Sequence, residues 1–238
     1  MMNDILVIIP TYNETESIAK LIDSIFTIDE NLHILIIDDN SPDGTADIIN
    51  NMNKKNLFLI KREKKLGLGS AYCCGFKYAI KNSYNTVVQM DADFSHNPLD
   101  IPILLKYRKD FDLIIGSRYI NGVRIINWPI SRLMLSYFAN LYSRIITGMP
   151  IQDTTAGFKI INTRLLSTLN FEKIKSEGYS FQIEINFLSW ANNFKIIEIP
   201  IIFTDRTTGT SKISYKIIFE AIYMVPLLRI KKLFNFIK

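Results

Sequence analysis

Two carboxylates one residue apart, Asp91 and Asp93, follow directly after the apolar run Thr86 to Met90. That run has the length of a buried strand, and open α/β sheets bind ligands beyond the carboxyl ends of their strands. Alternate side chains of an extended segment point the same way, so both carboxylates can face one hard cation while a diphosphate supplies further oxygens. The pattern suits a metal-bound nucleotide. Taken alone it is weak, because an Asp after a strand usually caps the next helix.

Three other loops that follow apolar runs carry groups suited to a nucleotide. In the segment Pro10 to Glu14, Tyr12 offers a ring for stacking on a base, and Glu14 can accept hydrogen bonds from base or ribose. Asp39 follows the apolar run that ends at Ile37, and it can likewise accept hydrogen bonds from base or ribose, unless it caps the following helix. Gly67-Leu68-Gly69-Ser70 opens a helix whose amides can approach an anion. Each loop alone is explained by ordinary turns and caps, but four at one sheet edge indicate a nucleotide site.

The elements that must position these loops alternate between strand and helix. Apolar runs of strand length cover Ile5 to Ile9, Ile34 to Ile37, Leu57 to Ile60, Thr86 to Met90 and Leu113 to Ile115, while helical spacing covers Glu16 to Phe26, Thr45 to Met52, Ser70 to Lys81 and Pro98 to Lys109. This alternation predicts an α/β fold with a mostly parallel central sheet covered on both faces. After Gly116 the regularity ends, and we expect the second half to hold the group on which the nucleotide half acts.

Composition limits the class of protein. With 238 residues, of which 48% are hydrophobic, the chain can form one large domain with an appendage. It contains no run of about 18 apolar residues and no basic segment before its first apolar run, so we expect neither a membrane span nor secretion. The adjacent Cys73 and Cys74 fit no disulfide framework, which favours a reducing cytosol. The net charge of +5 accompanies no nucleic-acid reading module, so no nucleic-acid partner is expected.

The ordered motifs resemble those of a known enzyme family. The four loops are similar to the nucleotide half of family 2 glycosyltransferases, which have a Rossmann-like GT-A fold. Motifs in the second half resemble those of the dolichol-phosphate, or polyprenol-phosphate, mannose synthases. These motifs are Gly116-Ser117-Arg118-Tyr119, Asn127-Trp128-Pro129-Ile130-Ser131-Arg132, Asp153-Thr154-Thr155-Ala156-Gly157-Phe158, Gly178-Tyr179-Ser180-Phe181-Gln182-Ile183-Glu184 and Arg206-Thr207-Thr208-Gly209-Thr210-Ser211-Lys212. The resemblance runs from about Ile5 to Lys212 and is specific for the fold and the lipid acceptor, but less decisive for the sugar.

The resemblance implies a single GT-A domain over residues 1–212, with a nucleotide-binding half at 1–116 and an acceptor half at 117–212. It implies that guanosine of GDP-mannose is held by Pro10, Tyr12, Glu14, Ile37 and Asp39. The diphosphate would be bound through Mg²⁺ or Mn²⁺ by Asp91, Ala92 and Asp93. Ser95 stands where some relatives have a glutamine ligand, and it can reach a metal only through its hydroxyl or a water. We expect His96 to be structural, because hard cations prefer oxygen ligands.

Basic residues of the second half complete the expected site. Arg118 and Arg132 match positions that bind the acceptor phosphate in the family, and Arg206 and Lys212 match positions that close over the donor. Asp153 would orient Arg118, Arg132 or the sugar rather than act as a general base. Gln182 and Glu184 are candidates for lining the sugar pocket, or else they face solvent.

The implied reaction is an inverting transfer of mannose from GDP-mannose to a polyprenyl phosphate, which gives a β-linked mannosyl phosphate lipid. The acceptor phosphate is already anionic, so it needs no protein base, and positioning and charge neutralisation remain as the work of the enzyme. Transfer of glucose from UDP-glucose to the same lipid is one alternative. The other is a nucleotide- or lipid-binding module without turnover.

The segment 213–238 reads as an amphipathic, basic helical tail. Apolar residues from Ile217 to Leu228 are interrupted by Glu220 and Pro226 and are followed by Arg229, Lys231 and Lys232. Such a segment can lie in a membrane interface with its cations on anionic headgroups, or it can pack against the domain. We expect a cytoplasmic protein that is peripheral on the cytosolic face of a membrane. The sequence leaves open whether a membrane subunit takes part.

Overall fold

The computed structural model of the protein describes residues 4–205 and 215–234. The strands in these ranges are β1 (Ile5–Thr11), β2 (His33–Asp38), β3 (Leu57–Lys61), β4 (Thr86–Gln89), β5 (Leu113–Ser117), β6 (Ile125–Ile126), β7 (Lys159–Asn162), β8 (Ile196–Pro200) and β9 (Phe203–Thr204). The helices are α1 (Ile18–Ile28), α2 (Thr45–Asn51), α3 (Leu68–Lys81), α4 (Ile101–Leu105), α5 (Ile130–Thr147), α6 (Thr163–Leu166), α7 (Gly178–Ala191) and α8 (Tyr215–Leu233).

Seven of these strands form the central sheet, in the order β3-β2-β1-β4-β7-β5-β8. Strands β1 to β4 pair in parallel, as do β5 and β8, while β7 runs antiparallel to both of its neighbours, β4 and β5. The predicted α/β class with a mostly parallel sheet is confirmed. The reversed strand was not predicted, and it brings the second half of the chain into the middle of the sheet beside Gln89.

Helices cover the central sheet on both faces. In β1, Leu6 and Ile8 pack into one core cluster, and Val7 and Ile9 pack into the other. The first cluster includes side chains of α3 and α7, and the second includes side chains of α1 and α4. Because alternate residues of a strand face opposite sides of the sheet, a strand buried on both faces must be apolar throughout. This explains the uninterrupted apolar runs in the sequence.

All five predicted strands are present, and the predicted helices shift at their ends. The largest difference concerns the predicted helix from Pro98 to Lys109. It consists of a 3₁₀ turn at Pro98–Asp100 followed by the short helix α4. After Leu105 the amide of Arg108 donates to the carbonyl only three residues back, so tight turns replace α-helical bonding.

Helix α8 packs against α5 and α7, with Val225 and Leu228 buried. Pro226 lies inside this helix and has no N–H for the carbonyl of Ile222, four residues earlier. The hydroxyl of Tyr142 donates to that carbonyl at 2.9 Å, so the helix continues through the proline. In the part of this segment that the structure describes, α8 thus packs against the domain, which is one of the two arrangements that the sequence leaves open. None of the helices in the described ranges has the length and hydropathy needed to cross a membrane.

Candidate active site

A cavity of about 440 Å³ opens at the carboxyl ends of β1, β2 and β4, where the sequence predicts a nucleotide. The loops after these strands meet the start of α7 and the residues around β9 there. Its wall includes most of the residues singled out from the sequence, namely Pro10, Tyr12, Glu14, Asp39, Asp91, Ala92, Asp93, Ser95, Arg118, Arg132 and Gln182. The fold thus brings together residues that are up to about 170 positions apart in the chain.

Some of the predicted residues lie elsewhere. The side chain of Ile37 is fully buried in the core below the cavity and is not part of its wall. Asp153 is likewise fully buried and lies behind Arg118. Glu184 is not part of the wall either, because its carboxylate accepts a hydrogen bond from the buried Ser176. Arg206 and Lys212 lie outside the described residues.

Asp39 projects toward the cavity from the end of β2, while its neighbour Asp38 turns inward. Asp38 is fully buried and accepts hydrogen bonds from the hydroxyls of Thr11 and Ser41. Asp39 forms an ion pair with Arg62, and one of its oxygens accepts from the amide of Gly67 at 2.9 Å. Asp38 therefore ties the first two loops together, and Asp39 connects the second loop to the glycine loop.

Tyr12 carries the predicted base-stacking ring. The ammonium of Lys65 lies 3.7 Å from the centre of this ring, in cation–π contact. Lys65 also lines the cavity, so an aromatic ring with a cation over it forms part of the wall. Lys65 was not among the site residues predicted from the sequence. Its position at the end of a basic run, two residues before Gly67, was the available signal.

The start of α3 differs from the expectation for the glycine loop. The amides of Gly69 and Ser70 donate to the carboxylate of Glu177, at 2.8 and 3.3 Å. The anion at this helix N-terminus is therefore a side chain of the protein, and these two amides are not open to a phosphate. Burial raises the pKa of Glu177, and these backbone hydrogen bonds partly offset the shift. The backbone N–H of Glu177 donates to Glu220 of α8, which links that helix to the loop.

The carboxylate pair sits on a tight turn after β4. Phe94 has a left-handed backbone with φ of +60°, which turns the chain so that the amide of Ser95 donates to Asp93 at 3.1 Å. The hydroxyl of Tyr72 lies 3.4 Å from a carboxylate oxygen of Asp91. The side chain of Asp91 is 36% exposed, so a cation in the cavity can reach it. Ser95 lines the wall but is only 4% exposed.

His96 supports this turn from below. Its Nδ1 accepts a hydrogen bond from the backbone N–H of Asp91 at 3.1 Å, and its ring stacks on Phe158. Burial lowers the pKa of His96, and the nearby Asp91 and Asp93 act in the opposite direction. A neutral ring whose Nδ1 is an acceptor fits the structural role expected for this residue. The described residues contain no cluster of three or more His, Cys, Asp or Glu side chains that could hold a metal alone.

Arg118 contributes a cation to the cavity wall. Its guanidinium donates to both oxygens of Asp153, at 2.8 and 2.6 Å, and to the hydroxyl of Thr155 at 2.8 Å. Burial would lower the pKa of this guanidinium, but the charge and hydrogen bonds of Asp153 more than reverse that effect. Glu198 of β8 accepts from the backbone N–H of Asp153. Arg118 is therefore a permanent cation with a fixed orientation.

A second guanidinium stands near the first. Arg132, in the first turn of α5, donates to both oxygens of Asp205 at 2.8 Å and stacks 4.2 Å above the ring of Trp128. Trp128 also faces Arg118 at 5.5 Å. One indole thus contacts both guanidiniums, and all three side chains line the cavity.

Comparison with known proteins identifies the family. The model of the family "Glycosyl transferase family 2" matches residues 6–169. The chain belongs to glycosyl transferase family 2. The matched region contains the carboxylate pair, both guanidiniums and Asp153.

Two curated relatives resemble this family 2 glycosyltransferase over most of its length. The polyprenol monophosphomannose synthase of Mycolicibacterium smegmatis is 41% identical over 224 residues, which cover 92% of this chain and 84% of the relative. The undecaprenyl-phosphate mannosyltransferase of Micrococcus luteus is 38% identical over 223 residues, which cover 93% of this chain and 92% of the relative.

Among solved structures, glucosyl-3-phosphoglycerate synthase from Mycobacterium tuberculosis has the same fold. Its complex with UDP superposes with a TM-score of 0.67 at 19% identity and covers 93% of this chain and 79% of the other. Its complex with Mn²⁺ and UDP-glucose gives a TM-score of 0.66 at 19% identity over 94% of this chain and 77% of the other. The GT-A fold expected from the sequence is thereby confirmed.

Proposed function

We propose that this glycosyltransferase transfers mannose from GDP-mannose to a polyprenyl phosphate, with inversion, to give a polyprenyl β-mannosyl phosphate. The observation that carries the proposal is the similarity, over more than 90% of the chain, to two proteins named as polyprenol monophosphomannose synthase and undecaprenyl-phosphate mannosyltransferase. The cavity supports it, because a wall that contains both a carboxylate pair and two guanidiniums suits a reaction between two phosphate-bearing substrates.

The donor would occupy the end of the cavity formed by the loops after β1 and β2. Tyr12 and Lys65 offer a ring and a cation to the base, and Asp39 and Glu14 offer carboxylate oxygens to base or ribose N–H and O–H groups. Pro10 is part of the same wall. Ile37 would not touch the donor; it would support the end of β2 through its packing in the core. Arg206 and Lys212 are proposed to close over the diphosphate.

Asp91 and Asp93 are proposed to hold Mg²⁺ or Mn²⁺ together with the diphosphate, with Ala92 between them and Ser95 as a weak further ligand. Two carboxylates that are joined by no third acidic ligand among residues 4–205 and 215–234 suit an ion that completes its coordination with substrate oxygens and water. When bound, such an ion neutralises charge on the departing diphosphate. The donor set consists of hard oxygens and therefore fits both cations.

The acceptor phosphate would bind to Arg118 and Arg132. One of its oxygens attacks the anomeric carbon of mannose, and the bond from that carbon to the β-phosphate oxygen of GDP-mannose breaks. GDP leaves from the opposite side, which inverts the anomeric centre. The attacking phosphate is already ionised, so no base is required. Asp153 is engaged with Arg118 and would serve to orient that guanidinium.

The surface beside Arg132 supports contact with a membrane. Helix α5 buries the polar residues Asn140, Ser143 and Thr147 and exposes Ile130, Phe138 and Ile145, which is the reverse of the arrangement on a water-facing helix. Helix α8 adds the exposed Phe219 and Tyr223. We propose a peripheral protein on the cytosolic face of a membrane, which takes its lipid substrate from the bilayer, with or without a membrane subunit.

A comparison of donors tests the proposal. The purified protein is supplied with polyprenyl phosphate and Mg²⁺ or Mn²⁺, and with either labelled GDP-mannose or labelled UDP-glucose. Label in the organic-extractable lipid from GDP-mannose alone is the expected result. Label from UDP-glucose alone would reassign the donor, and no label from either would favour a binding module without turnover.

A further inference from the structure

Lys159 is a fully buried lysine in the middle of the sheet, on the reversed strand β7. Its ammonium nitrogen lies 2.6 Å from the side-chain oxygen of Gln182 and 3.3 Å from the backbone carbonyl of the same residue. A lysine ammonium can only donate hydrogen bonds. When Lys159 is charged, the amide atom of Gln182 that faces it must therefore be Oε1. The amide of Gln89 fixes the same orientation in either charge state of Lys159, because its Nε2 donates to the carbonyl of Gly157 and must meet an acceptor on Gln182.

A second donor reaches the same oxygen from the neighbouring strand. Nε2 of Gln89, on β4, lies 2.7 Å from Oε1 of Gln182 and 3.0 Å from the carbonyl of Gly157. Two donors from two paired strands thus converge on one side-chain oxygen. Rotating the Gln182 amide by half a turn would replace both of these hydrogen bonds by contacts between donors. Its orientation is consequently fixed.

The fixed orientation turns the other end of the amide, Nε2 with two N–H groups, away from Lys159. Gln182 is only 3% exposed, yet it forms part of the cavity wall. Among the described residues, Nε2 of Gln182 has no hydrogen-bond acceptor. This nitrogen is not buried completely, so a molecule in the cavity can reach it. A nearly buried amide therefore offers its donors to the contents of the cavity.

The position of Nε2 of Gln182 indicates which part of a bound nucleotide sugar lies next to it. Gln182 and Gly157 bind the same nitrogen of Gln89, and a Cβ on Gly157 would lie 3.4 Å from a carboxylate oxygen of Asp91. The amide is therefore close to the carboxylates proposed to hold the diphosphate, where the attached sugar must lie. An uncharged, strictly oriented donor is suited to a neutral hydroxyl oxygen.

We propose that Nε2 of Gln182 donates a hydrogen bond to a hydroxyl of the transferred sugar, and that Lys159 and Gln89 are positioning residues that hold the amide for this contact. The inference rests on the proposed function, since it places the sugar of the nucleotide donor in this cavity.

The substitution Gln182→Glu tests the contact, and Gln182→Met is a second variant that removes the same donor without adding a negative charge. Gln182→Glu keeps an oxygen for Lys159 and Gln89 and replaces the donor nitrogen by an acceptor. We expect affinity for GDP-mannose, measured by calorimetry, to fall about tenfold or more, while affinity for GDP is unchanged. Lys159→Met, which removes the ammonium and retains the length of the side chain, should reduce the ratio of GDP-mannose to GDP affinity in the same direction. Gln152→Glu, at an exposed glutamine, is the matched control.

An unchanged ratio in Gln182→Glu would overturn the inference, and so would an equal loss for GDP and GDP-mannose, because that result would place the contact on the diphosphate. Should wild-type protein use UDP-glucose as its donor, the proposed function fails while the inference remains testable with UDP-glucose against UDP. A loss of kcat/KM without any change in either affinity would also contradict a ground-state contact with the sugar.

Discussion

Arg118 and Asp153 form a buried, two-point ion pair in which Nε and Nη2 donate to the two carboxylate oxygens at 2.8 and 2.6 Å. The backbone N–H of Arg118 donates to the same carboxylate at 2.8 Å. Three hydrogen bonds from one residue engage both carboxylate oxygens of Asp153, which is fully buried behind Arg118. The role of Asp153 in this pair is therefore to hold the Arg118 cation in a fixed orientation at the cavity wall.

Asp153→Asn should reduce transfer by about a hundredfold or more and lower the free energy of unfolding by roughly 3–5 kcal/mol, because it leaves the Arg118 charge buried without its partner. Urea denaturation and single-turnover transfer measure the two effects. The double variant Arg118→Met, Asp153→Leu should recover much of the stability but none of the activity. If the double variant were active, Arg118 would not be required for transfer.

Asp91→Asn should abolish metal-dependent transfer and leave the fold intact, since it removes one of two carboxylates available to the cation. Binding of Mn²⁺ in the presence of GDP, followed by electron paramagnetic resonance, should weaken by at least about tenfold. Asp47→Asn, at an exposed aspartate of α2, is the control. Full transfer by the Asp91 variant would refute the metal role of this pair.

Lys159 should make stability depend on pH. Burial lowers its pKa from 10.5 to about 7, so between these values the unfolded chain binds a proton that the folded protein has released. Wild-type stability should therefore rise with pH across this window, by up to about 1.4 kcal/mol per pH unit, and fall as the pH drops toward 7. In Lys159→Met this contribution should disappear from urea unfolding measured at several pH values. Identical pH profiles of the two proteins would show that Lys159 keeps its ordinary pKa.

The outer face of α5 should contribute to membrane binding. Replacing Ile130, Phe138 and Ile145 by Ser removes exposed apolar side chains only, so we expect the fold to persist. Flotation with vesicles of phosphatidylcholine and phosphatidylglycerol should show a loss of binding of more than about tenfold. Leu99→Ser with Ile103→Ser changes exposed apolar residues elsewhere and should have no effect. If the α5 variant and the Leu99, Ile103 control floated equally well, the outer face of α5 would have no part in membrane binding.

The sequence was sufficient to predict the strands of the nucleotide half and most of the cavity wall. Each predicted strand is a local apolar run, and parallel strands bring the loops at their carboxyl ends to one edge. The resemblance added Arg118 and Arg132, which periodicity alone would leave as surface charges. Lys159 had a local signal, a charge within an apolar strand, but its partner Gln182 lies 23 residues away and only the fold joins them.

The remaining features depend on contacts between distant segments. The amides at the start of α3 donate to Glu177, which lies 108 positions away in the chain. Because the neighbouring sequence does not show this distant partner, the pattern at the start of the helix predicted a bound phosphate instead. The reversed strand β7 pairs with β4 and β5, and strand order of this kind is not encoded in a short pattern. The exposed apolar face of α5 has the same periodicity as a buried face, and only the burial of Asn140 and Ser143 shows which side faces inward.

The most direct test of the proposed reaction is the transfer of labelled mannose from GDP-mannose to polyprenyl phosphate by wild-type protein and by Asp91→Asn. The product is extracted into organic solvent, and its anomeric configuration is determined by NMR. Wild-type protein should give a metal-dependent, β-linked mannosyl phosphate lipid, and the variant should give none. An α-linked product, or a product formed equally by the variant, would contradict the proposed reaction.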